Sequence, residues 1–530
     1  MPATSSRQRQ PDIVRSPEHN DFSVTNRVQF SLDLEAGHRL STDEILQWPV
    51  FDELLSTLQR FGFVDLHGSE AYTYLNDLLT QSDSVASNCH FQSLRELSTS
   101  DDISSEGSDI EPLIDHFFNR INIKNPIVTR QDASQYCQRY CAHRSLSNLE
   151  NCLVLLMCAL GAVSMEFDPS DVARSPSSSS SPSSRLASLR LGACYFVAAE
   201  KCLGSAISSV SSLAIQCLCL AGIFHMYLIK PMHALRMFHA AGSSLQILAS
   251  TSAGSAEGKS QVYSSLFWTC YKSEREILAE IPISAPALRQ PGWPDSYPLS
   301  SQPASLASDM WASHEEDSWY FFLSEIALRR ITDQVADVVC KYIDARQNSH
   351  DSLGIKELIP IVAEFERQAE TFREHLPPSI QFPDVPQLAS TEWQQYSRGR
   401  FYRVLELMHR PFLFTAIHEP DCSAVIRILA EKGLFNALRY LQHSHTSHRH
   451  HGTWLMLRNE LKAASLLLAA SRSEGLNMPP GWEAAITKVL ATFDYWALEF
   501  PSCKTYSSVV LTLANSSLAA VEEHGPINFI

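Results

Sequence analysis

Apolar side chains recur at helical spacing along most of the chain. Over Glu316–Tyr342, bulky side chains return mainly every three or four residues, which predicts one amphipathic helix. Two further runs, Cys152–Val163 and Ser212–Ile229, contain no Asp, Glu, Lys or Arg. The first run is too short to cross a bilayer, and Gln216 and His225 interrupt the second. Both are therefore predicted to be buried helices and not membrane spans.

The fold class follows from this periodicity and from composition. No stretch keeps the alternation of a strand, and no repeat of fixed period is present. The 530 residues include only 19 glycines, well below the average usage of ~7%. The predicted fold class is all-α, a multi-helix and bundle-like domain.

Composition divides the chain into three regions. Residues 1–40 are polar and aperiodic and are predicted to be a disordered tail. Residues 41–110 join an acidic-hydrophobic stretch at 41–81 to an acidic, Ser-rich linker. That stretch is either one or two short helices docked on the main domain or an activation segment. Residues 111–530 form one helical domain, with a low-complexity, disordered Ser-rich loop predicted at 174–185.

Charge argues against direct DNA binding by these residues. The formal net charge is −16, and no run of five basic residues occurs. Residues 1–111 alone hold 7 basic and 19 acidic side chains. A nucleic-acid binder neutralises phosphates with Lys and Arg, so this balance predicts no specific binding to duplex DNA. The 13 cysteines, an odd number that lie mostly inside apolar runs, indicate a reducing compartment.

Three groups of residues were candidates for chemistry, although no known catalytic or nucleotide-binding motif is present. A histidine tract could bind Zn²⁺ or Ni²⁺, but it is predicted to be an exposed loop. An acidic set near Lys272 and Arg275 is predicted to be a solvated helix face with i,i+4 pairs. A C-x3-C pair is predicted to be two packing cysteines, because no second ligand pair matches it. The groups are His443, His445, His448, His450 and His451; Glu274, Glu276 and Glu280; and Cys137 and Cys141. No catalytic residue, metal site or cofactor is predicted.

Seven segments, in the same order, resemble the fungal-specific transcription factor domain, or middle homology region, of zinc-cluster regulators. The resemblance covers roughly residues 110–420. Each single segment is only weak evidence for the resemblance, but the match of all seven in the family's order makes the resemblance specific. The segments are LIDHFFNRINIKNPIV, NCLVLLMCALGAV, the long stretch Tyr195–Leu248, SSLFWTCYKSEREILAEIPIS, SWYFFLSEIALRRI, LPPSIQFP and RGRFYRVLELMHRPFLF.

The resemblance implies a helical regulatory domain and a transcriptional function. Regulators of this kind usually begin with a six-cysteine zinc cluster, but the only cysteine before residue 130 is Cys89. Two interpretations stay open: regulation through a partner, or a first exon that is missing from the sequence. The resemblance also implies that the regulated genes belong to a metabolic or secondary-metabolite set.

The expected function is therefore a nuclear, non-enzymatic transcriptional regulator or co-regulator, with the cytoplasm as a second location. Expected partners are a zinc-cluster paralogue or the transcription machinery, with DNA reached through that partner. A small-molecule effector is a further candidate, and no membrane association is expected. The alternatives are a helical interaction scaffold without a transcriptional role and an enzyme whose site is not recognisable.

Overall fold

The computed structural model describes residues 40–60, 110–144, 147–172, 182–251, 261–281, 285–288, 298, 309–347, 354–384, 387–444 and 447–522. Regular structure within these ranges is helical and includes no strand, which confirms the predicted all-α fold. The predicted tail, apart from Leu40, and most of the acidic linker lie outside the described residues.

The first half of the described chain forms nine α-helices, with short 3₁₀ helices at Pro49–Leu54 and Pro169–Val172 and a π-helix at Phe117–Asn122. The α-helices are α1 (Thr42–Leu46), α2 (Leu55–Arg60), α3 (Glu111–His116), α4 (Arg130–Ala142), α5 (Leu149–Val163), α6 (Pro182–Ser208), α7 (Ser212–Tyr227), α8 (Pro231–Thr251) and α9 (Gln261–Leu278).

The second half of the described chain forms seven further α-helices. These are α10 (Asp309–Gln347), α11 (Ile355–Glu374), α12 (Glu392–His418), α13 (Ala424–Ser444), α14 (Thr453–Ala470), α15 (Trp482–Trp496) and α16 (Ser502–Glu522). Helix α10 contains the predicted helix Glu316–Tyr342 and extends it at both ends.

Polar side chains set where several helices begin. Thr129, Asn148, Ser211 and Thr391 each precede a helix, and each side chain accepts a hydrogen bond from a backbone N–H three residues later. Such caps satisfy an N–H that has no partner inside the helix. The sequence therefore fixes the starts of α4, α5, α7 and α12 locally.

Helix α5 is the centre of the N-terminal half. Every residue from Asn151 to Val163 is buried, and α3, α4, α6 and α7 pack around it. At Gly161 the backbone of α3 crosses so closely that a Cβ there would lie 2.0 Å from the carbonyl oxygen of Leu113. Phe196 of α6 stacks on Phe224 of α7, with ring centroids 4.3 Å apart. The prediction that the two apolar runs are buried helices is confirmed.

The C-terminal half is built around α12 and α14. Helix α12 packs against α10, α11 and α13, while α14 packs against α1, α13, α15 and α16. All residues of Thr453–Ala470 are buried, including its charged ones. Helix α14 also meets α7, so the two halves share one continuous core.

Residues 40–60 dock on this C-terminal half. Trp48 packs edge-on against Phe414 of α12 at 5.1 Å between ring centroids, and Phe51 is fully buried. For these residues the structure agrees with the docked-helix interpretation. The remainder of the acidic-hydrophobic stretch, residues 61–81, lies outside the described residues.

The Ser-rich loop ends earlier than its predicted boundaries of 174–185. Helix α6 begins at Pro182, and Arg185 is buried within hydrogen-bonding distance, 3.3 Å, of Glu499. The ring of Tyr495 lies 4.3 Å from the same guanidinium. The boundary was wrong because Arg185 was grouped with the serines before it, whereas its partners lie more than 300 residues away in sequence.

No helix in the described ranges combines the length and the hydropathy that a membrane crossing requires.

Candidate functional site: a buried layer of charged residues

The acidic set of α9 is buried, so the prediction of a solvated face was wrong. Glu276 is 6% exposed, Glu280 is 1% exposed and Lys272 is 4% exposed. Helices α7, α8 and α10 pack against α9, and none of its described residues is fully exposed. A buried charge is costly unless it is paired and hydrogen-bonded. Each of these side chains does find partners on other elements, and together they form a charged layer between α9, α10, α12 and α14.

Glu280, two residues after the end of α9, is the first centre of this layer. Arg458 of α14 donates from Nε to Oε2 at 3.2 Å, and Lys462 binds Oε1. The backbone N–H and the hydroxyl of Thr42 also donate to Oε2. Burial alone would raise the pKa of Glu280, but Lys462 and Arg458 lower it to about 2. Glu280 is therefore a carboxylate at every ordinary pH.

The same cations hold the N-terminal segment in place. Arg458 donates from Nη2 to both carboxylate oxygens of Asp43, at 3.1 and 3.2 Å. The carbonyl of Leu40 accepts from Lys462 at 3.1 Å and from Arg410 at 3.2 Å. Residues 40–43 are thus clamped against α12 and α14 by hydrogen bonds to charged groups, which are the stronger kind.

Glu392, at the start of α12, is the second centre. One carboxylate oxygen, Oε1, accepts from Lys124 at 2.8 Å and from Tyr396 at 3.2 Å, and it lies 3.0 Å from His448 Nε2. Burial by itself would raise the pKa of Glu392, but Lys124 and His448 lower it. Lys124 also lies 3.4 Å from the hydroxyl of Tyr227. Through these contacts of Lys124, the turn after the π-helix is bound to α7 and α12.

The histidine tract lies beside Glu392 and is buried, so the prediction of an exposed loop was wrong for the residues described. His443, His448 and His450 are at most 8% exposed, and His451 is half-buried. The rings of His448 and His450 lie 5.2 Å apart. Burial lowers the pKa of His443 to about 3 and also lowers the pKa of His450, so these two rings are neutral. His445 lies outside the described residues.

Arg400 of α12 is the third centre. It bridges two helices, since it forms an ion pair with Glu276 of α9 and lies 3.1 Å from Glu325 of α10. Burial raises the pKa of Glu325 and lowers the pKa of Lys272. Burial thus disfavours the charged form of both side chains.

Two small cavities flank this arginine. One, of about 70 Å³, lies between α12, α13 and α14 and is lined in part by Tyr440, Asn459 and Met456. The other, of about 50 Å³, lies between α9, α10, α12 and α14 and is lined in part by Glu325 and Lys462. Both are also lined by Glu276, Arg400 and Arg403. These three charged side chains of the layer therefore lie between the two cavities.

The chemistry of the layer suits binding and positioning. Glu280 and Glu392 are held as carboxylates by several donors. The buried His443 and His450, whose pKa values are lowered, have no proton to exchange near neutrality. In the described ranges, no three His, Cys, Asp or Glu side chains are placed to share a metal ion. Of the predicted pair of packing cysteines, Cys137 is half-buried but Cys141 is exposed, which contradicts its packing role.

Sequence reasoning missed most partners in this layer. The sequence gives no direct sign that Lys124, Arg400, Arg403, Arg458 and Lys462 are buried, because their partners lie far away along the chain. One signal was present: Arg458 and Lys462 are four residues apart inside the mostly apolar TWLMLRNELKAASLLLAA. A helix that is mostly apolar is expected to be buried. Charged side chains at i and i+4 of such a helix are therefore expected to have buried partners of opposite charge.

Comparison with known proteins identifies one region. Residues 114–279 match the family model described as the fungal specific transcription factor domain. No curated protein and no solved structure matches the chain. The matched residues run from within α3 to the end of α9 and include Lys124, Tyr227, Lys272 and Glu276 of the charged layer. The chain therefore contains a fungal specific transcription factor domain at residues 114–279.

Proposed function

We propose that the chain is a nuclear, non-enzymatic fungal transcriptional regulator or co-regulator that acts through its helical domain. The observation that carries the proposal is the family match at residues 114–279, which coincides with α3 to α9. Because α12 to α14 share a core with these helices, the regulatory unit includes the C-terminal half. Its target genes are those of a metabolic or secondary-metabolite set.

The regulator reaches DNA through a protein partner. Two features of the 530 residues support this step: the net charge of −16 and the lack of a basic run. Each phosphate contact needs a cation, and an acidic protein is repelled from the duplex at long range. The expected partner is a zinc-cluster paralogue or a component of the transcription machinery.

The charged layer supplies a physical means of regulation. A helical domain can respond to a partner or a ligand if it has two packings and the bound molecule favours one of them. Buried ion pairs are directional, so moving α12 against α9 would break the contacts of Arg400 with Glu276 and Glu325 together. Such an interface favours discrete arrangements over gradual sliding.

A tethering experiment tests the transcriptional role. The full chain is fused to a heterologous DNA-binding domain and expressed in a fungal host with a reporter that carries the matching operator. We expect reporter expression to change several-fold relative to the DNA-binding domain alone. An unchanged reporter, with the fusion abundant and bound at the operator, would instead favour a scaffold without a transcriptional role.

A binding titration tests the route to DNA. Fluorescence anisotropy of a promoter-length duplex is measured against the purified chain at physiological salt, with scrambled duplex as competitor. We expect no competitor-resistant binding, since even non-specific binding by ordinary DNA-binding proteins is only ~10⁻⁴–10⁻⁶ M. Specific nanomolar binding would overturn the partner route and leave the tethering result unaffected.

A further inference from the structure

Helix α13 carries an apolar stripe that is open to solvent in the described part of the chain. Val425, Ile428 and Phe435 are 49%, 57% and 45% exposed. They follow one another at steps of three and seven residues, which places them along one side of the helix. The guanidinium of Arg439 lies 4.5 Å from the ring centroid of Phe435, but nearly half of this side chain stays exposed. Apolar side chains exposed singly are ordinary, whereas an aligned set indicates an interaction surface.

This apolar stripe borders an open groove of about 780 Å³, which is far larger than either cavity beside Arg400. Helices α11 and α13 both pack on α12, and the groove lies between them. Its apolar surface comes from Ala363 of α11, Leu405 of α12, and Ile428 and Phe435 of α13. The flanking helices have 20 and 21 residues, so each is about 30 Å long. A third helix laid between them can therefore make contacts over several turns.

Both cations that line the groove are already paired within the chain. Lys432 of α13 lies 2.9 Å from Oε1 of Glu366. Arg367 of α11 donates to both carboxylate oxygens of Glu364, at 2.7 and 2.8 Å. Because these charges are neutralised in place, the groove offers little attraction to an acidic segment.

Two carboxylates that line the groove have no cation among the described residues. Glu370 of α11 is exposed and forms neither a hydrogen bond nor an ion pair in the described part of the chain. Glu431 of α13 accepts hydrogen bonds from the backbone and side-chain amides of Asn477, which is uncharged. Glu370 and Glu431, the groove carboxylates, lie on the two helices that flank the groove. Their charges are therefore available to Lys or Arg side chains of a bound segment.

We propose that this groove binds a basic amphipathic helix of the protein partner. The apolar side of that helix packs on Ile428 and Phe435, and its Lys or Arg side chains pair with the groove carboxylates. The inference rests on the proposed regulatory function, because it names the chemistry of the partner through which the regulator reaches DNA. The apolar anchors supply most of the affinity, since exposed ion pairs contribute little. The charges instead select against acidic helices.

Two synthetic peptides of about 18 residues, long enough to form a helix, test this proposal. Both carry leucine at the a and d positions of a heptad. The other positions are Lys and Ala in the first peptide, and Glu and Ala in the second. Each is labelled with a fluorophore and titrated with the purified full chain at physiological salt, and binding is followed by anisotropy. The Lys peptide is expected to bind with a dissociation constant on the order of micromolar, and the Glu peptide at least about tenfold more weakly.

Variants of exposed side chains locate the site without disturbing the core. Phe435→Ser and Ile428→Ser should each weaken binding of the Lys peptide by about tenfold, because each removes an apolar anchor. The double variant Glu370→Gln, Glu431→Gln should weaken it only about threefold and reduce its dependence on salt. The matched control is Ile207→Ser on α6, where the side chain is 55% exposed, and it should leave both titrations unchanged.

The proposal is overturned by any of four results. The first two are no saturable binding of the Lys peptide up to about 100 µM and equal binding of the two peptides. The third is unchanged binding in Phe435→Ser, which would show general attraction to a chain of net charge −16. The fourth is a dimer of the chain, seen by sedimentation velocity, that Phe435→Ser dissociates, because the groove would then bind a second copy. A failed titration with an active tethered reporter refutes the docking groove alone, whereas an inactive reporter refutes the regulatory function itself.

Discussion

Helices α5 and α14 are buried to a similar degree, but their interiors differ. From Cys152 to Val163, α5 carries no charged side chain and lies in a cluster of apolar side chains. Helix α14 buries Arg458, Glu460 and Lys462 along with its leucines. The first can be buried against any well-packed apolar neighbour. The second can be buried only where particular carboxylates and carbonyls meet it, so its position is specified far more narrowly.

This difference bears on what the charged layer contributes. A buried ion pair is often no more stabilising than a hydrophobic replacement, because desolvation offsets much of its attraction. Loss of one partner is costly, however, since the other charge is left buried. The layer therefore specifies how residues 40–46, α9, α12 and α14 fit together, while α5 and α7 supply the apolar core.

The largest effect is expected when α14 loses its cation. Arg458→Met leaves the carboxylates of Asp43 and Glu280 without their shared partner. The free energy of unfolding should fall by about 3–5 kcal/mol. Urea denaturation followed by circular dichroism measures this loss. The exposed Arg367→Met serves as the control and should leave the free energy of unfolding nearly unchanged.

A comparable truncation of an apolar side chain in α5 is expected to lower the free energy of unfolding slightly less than Arg458→Met does. Leu156→Ala removes a fully buried side chain and leaves a cavity, with an expected loss of about 2–5 kcal/mol. Added salt should change the effect of Arg458→Met modestly and that of Leu156→Ala hardly at all, because salt screens charges, although buried pairs much less than exposed ones. Paired denaturation curves at low and high salt check this difference. An equal effect of salt on the two variants would contradict the proposed difference between the charged surroundings of α14 and the apolar surroundings of α5.

The next effect depends on pH. Burial raises the pKa of Glu460 from 4.5 to about 8 in the folded chain, and among the described residues its side chain is hydrogen-bonded only to the hydroxyl of Ser444, at 2.8 Å. The folded state therefore keeps a proton that the unfolded state releases, and this contribution to stability is lost as pH rises from about 4.5 to about 8. Glu460→Gln should remove that dependence, so its stability relative to the parent should rise by roughly 3–4 kcal/mol between pH 5 and pH 8. Thermal melts at both pH values, with the exposed Glu364→Gln as control, measure it.

The smallest effect concerns helix crossing in the apolar half. Gly161→Ala places a methyl group against the carbonyl of Leu113, so α3 must move away from α5. The expected cost is about 1–3 kcal/mol. Gly204→Ala is the matched control, since a Cβ there meets no atom within 4 Å. A thermal midpoint for Gly161→Ala equal to that of the control would show that α3 does not cross α5 so closely.

The apolar half was predictable from sequence because its signals are local. Caps and apolar periodicity lie within a few residues of the helices that they define, as at Asn148 and α5. The charged layer was not predictable, because an i,i+4 arrangement such as Glu276 and Glu280 is equally compatible with solvent. Only the covering helices make them buried. The histidine tract was misassigned for the same reason, since the partner of His448 is Glu392, 56 residues earlier.

A double-mutant cycle between Glu280 and Arg458 tests most directly whether this layer specifies how the two halves join. Unfolding free energies are measured for Glu280→Gln, Arg458→Met and the double variant. The double variant should be more stable than the sum of the single losses implies, by on the order of 2 kcal/mol, because the second substitution removes a charge that the first left unpaired. Additivity within about 0.5 kcal/mol would contradict the account, since it would mean that the two side chains do not depend on each other.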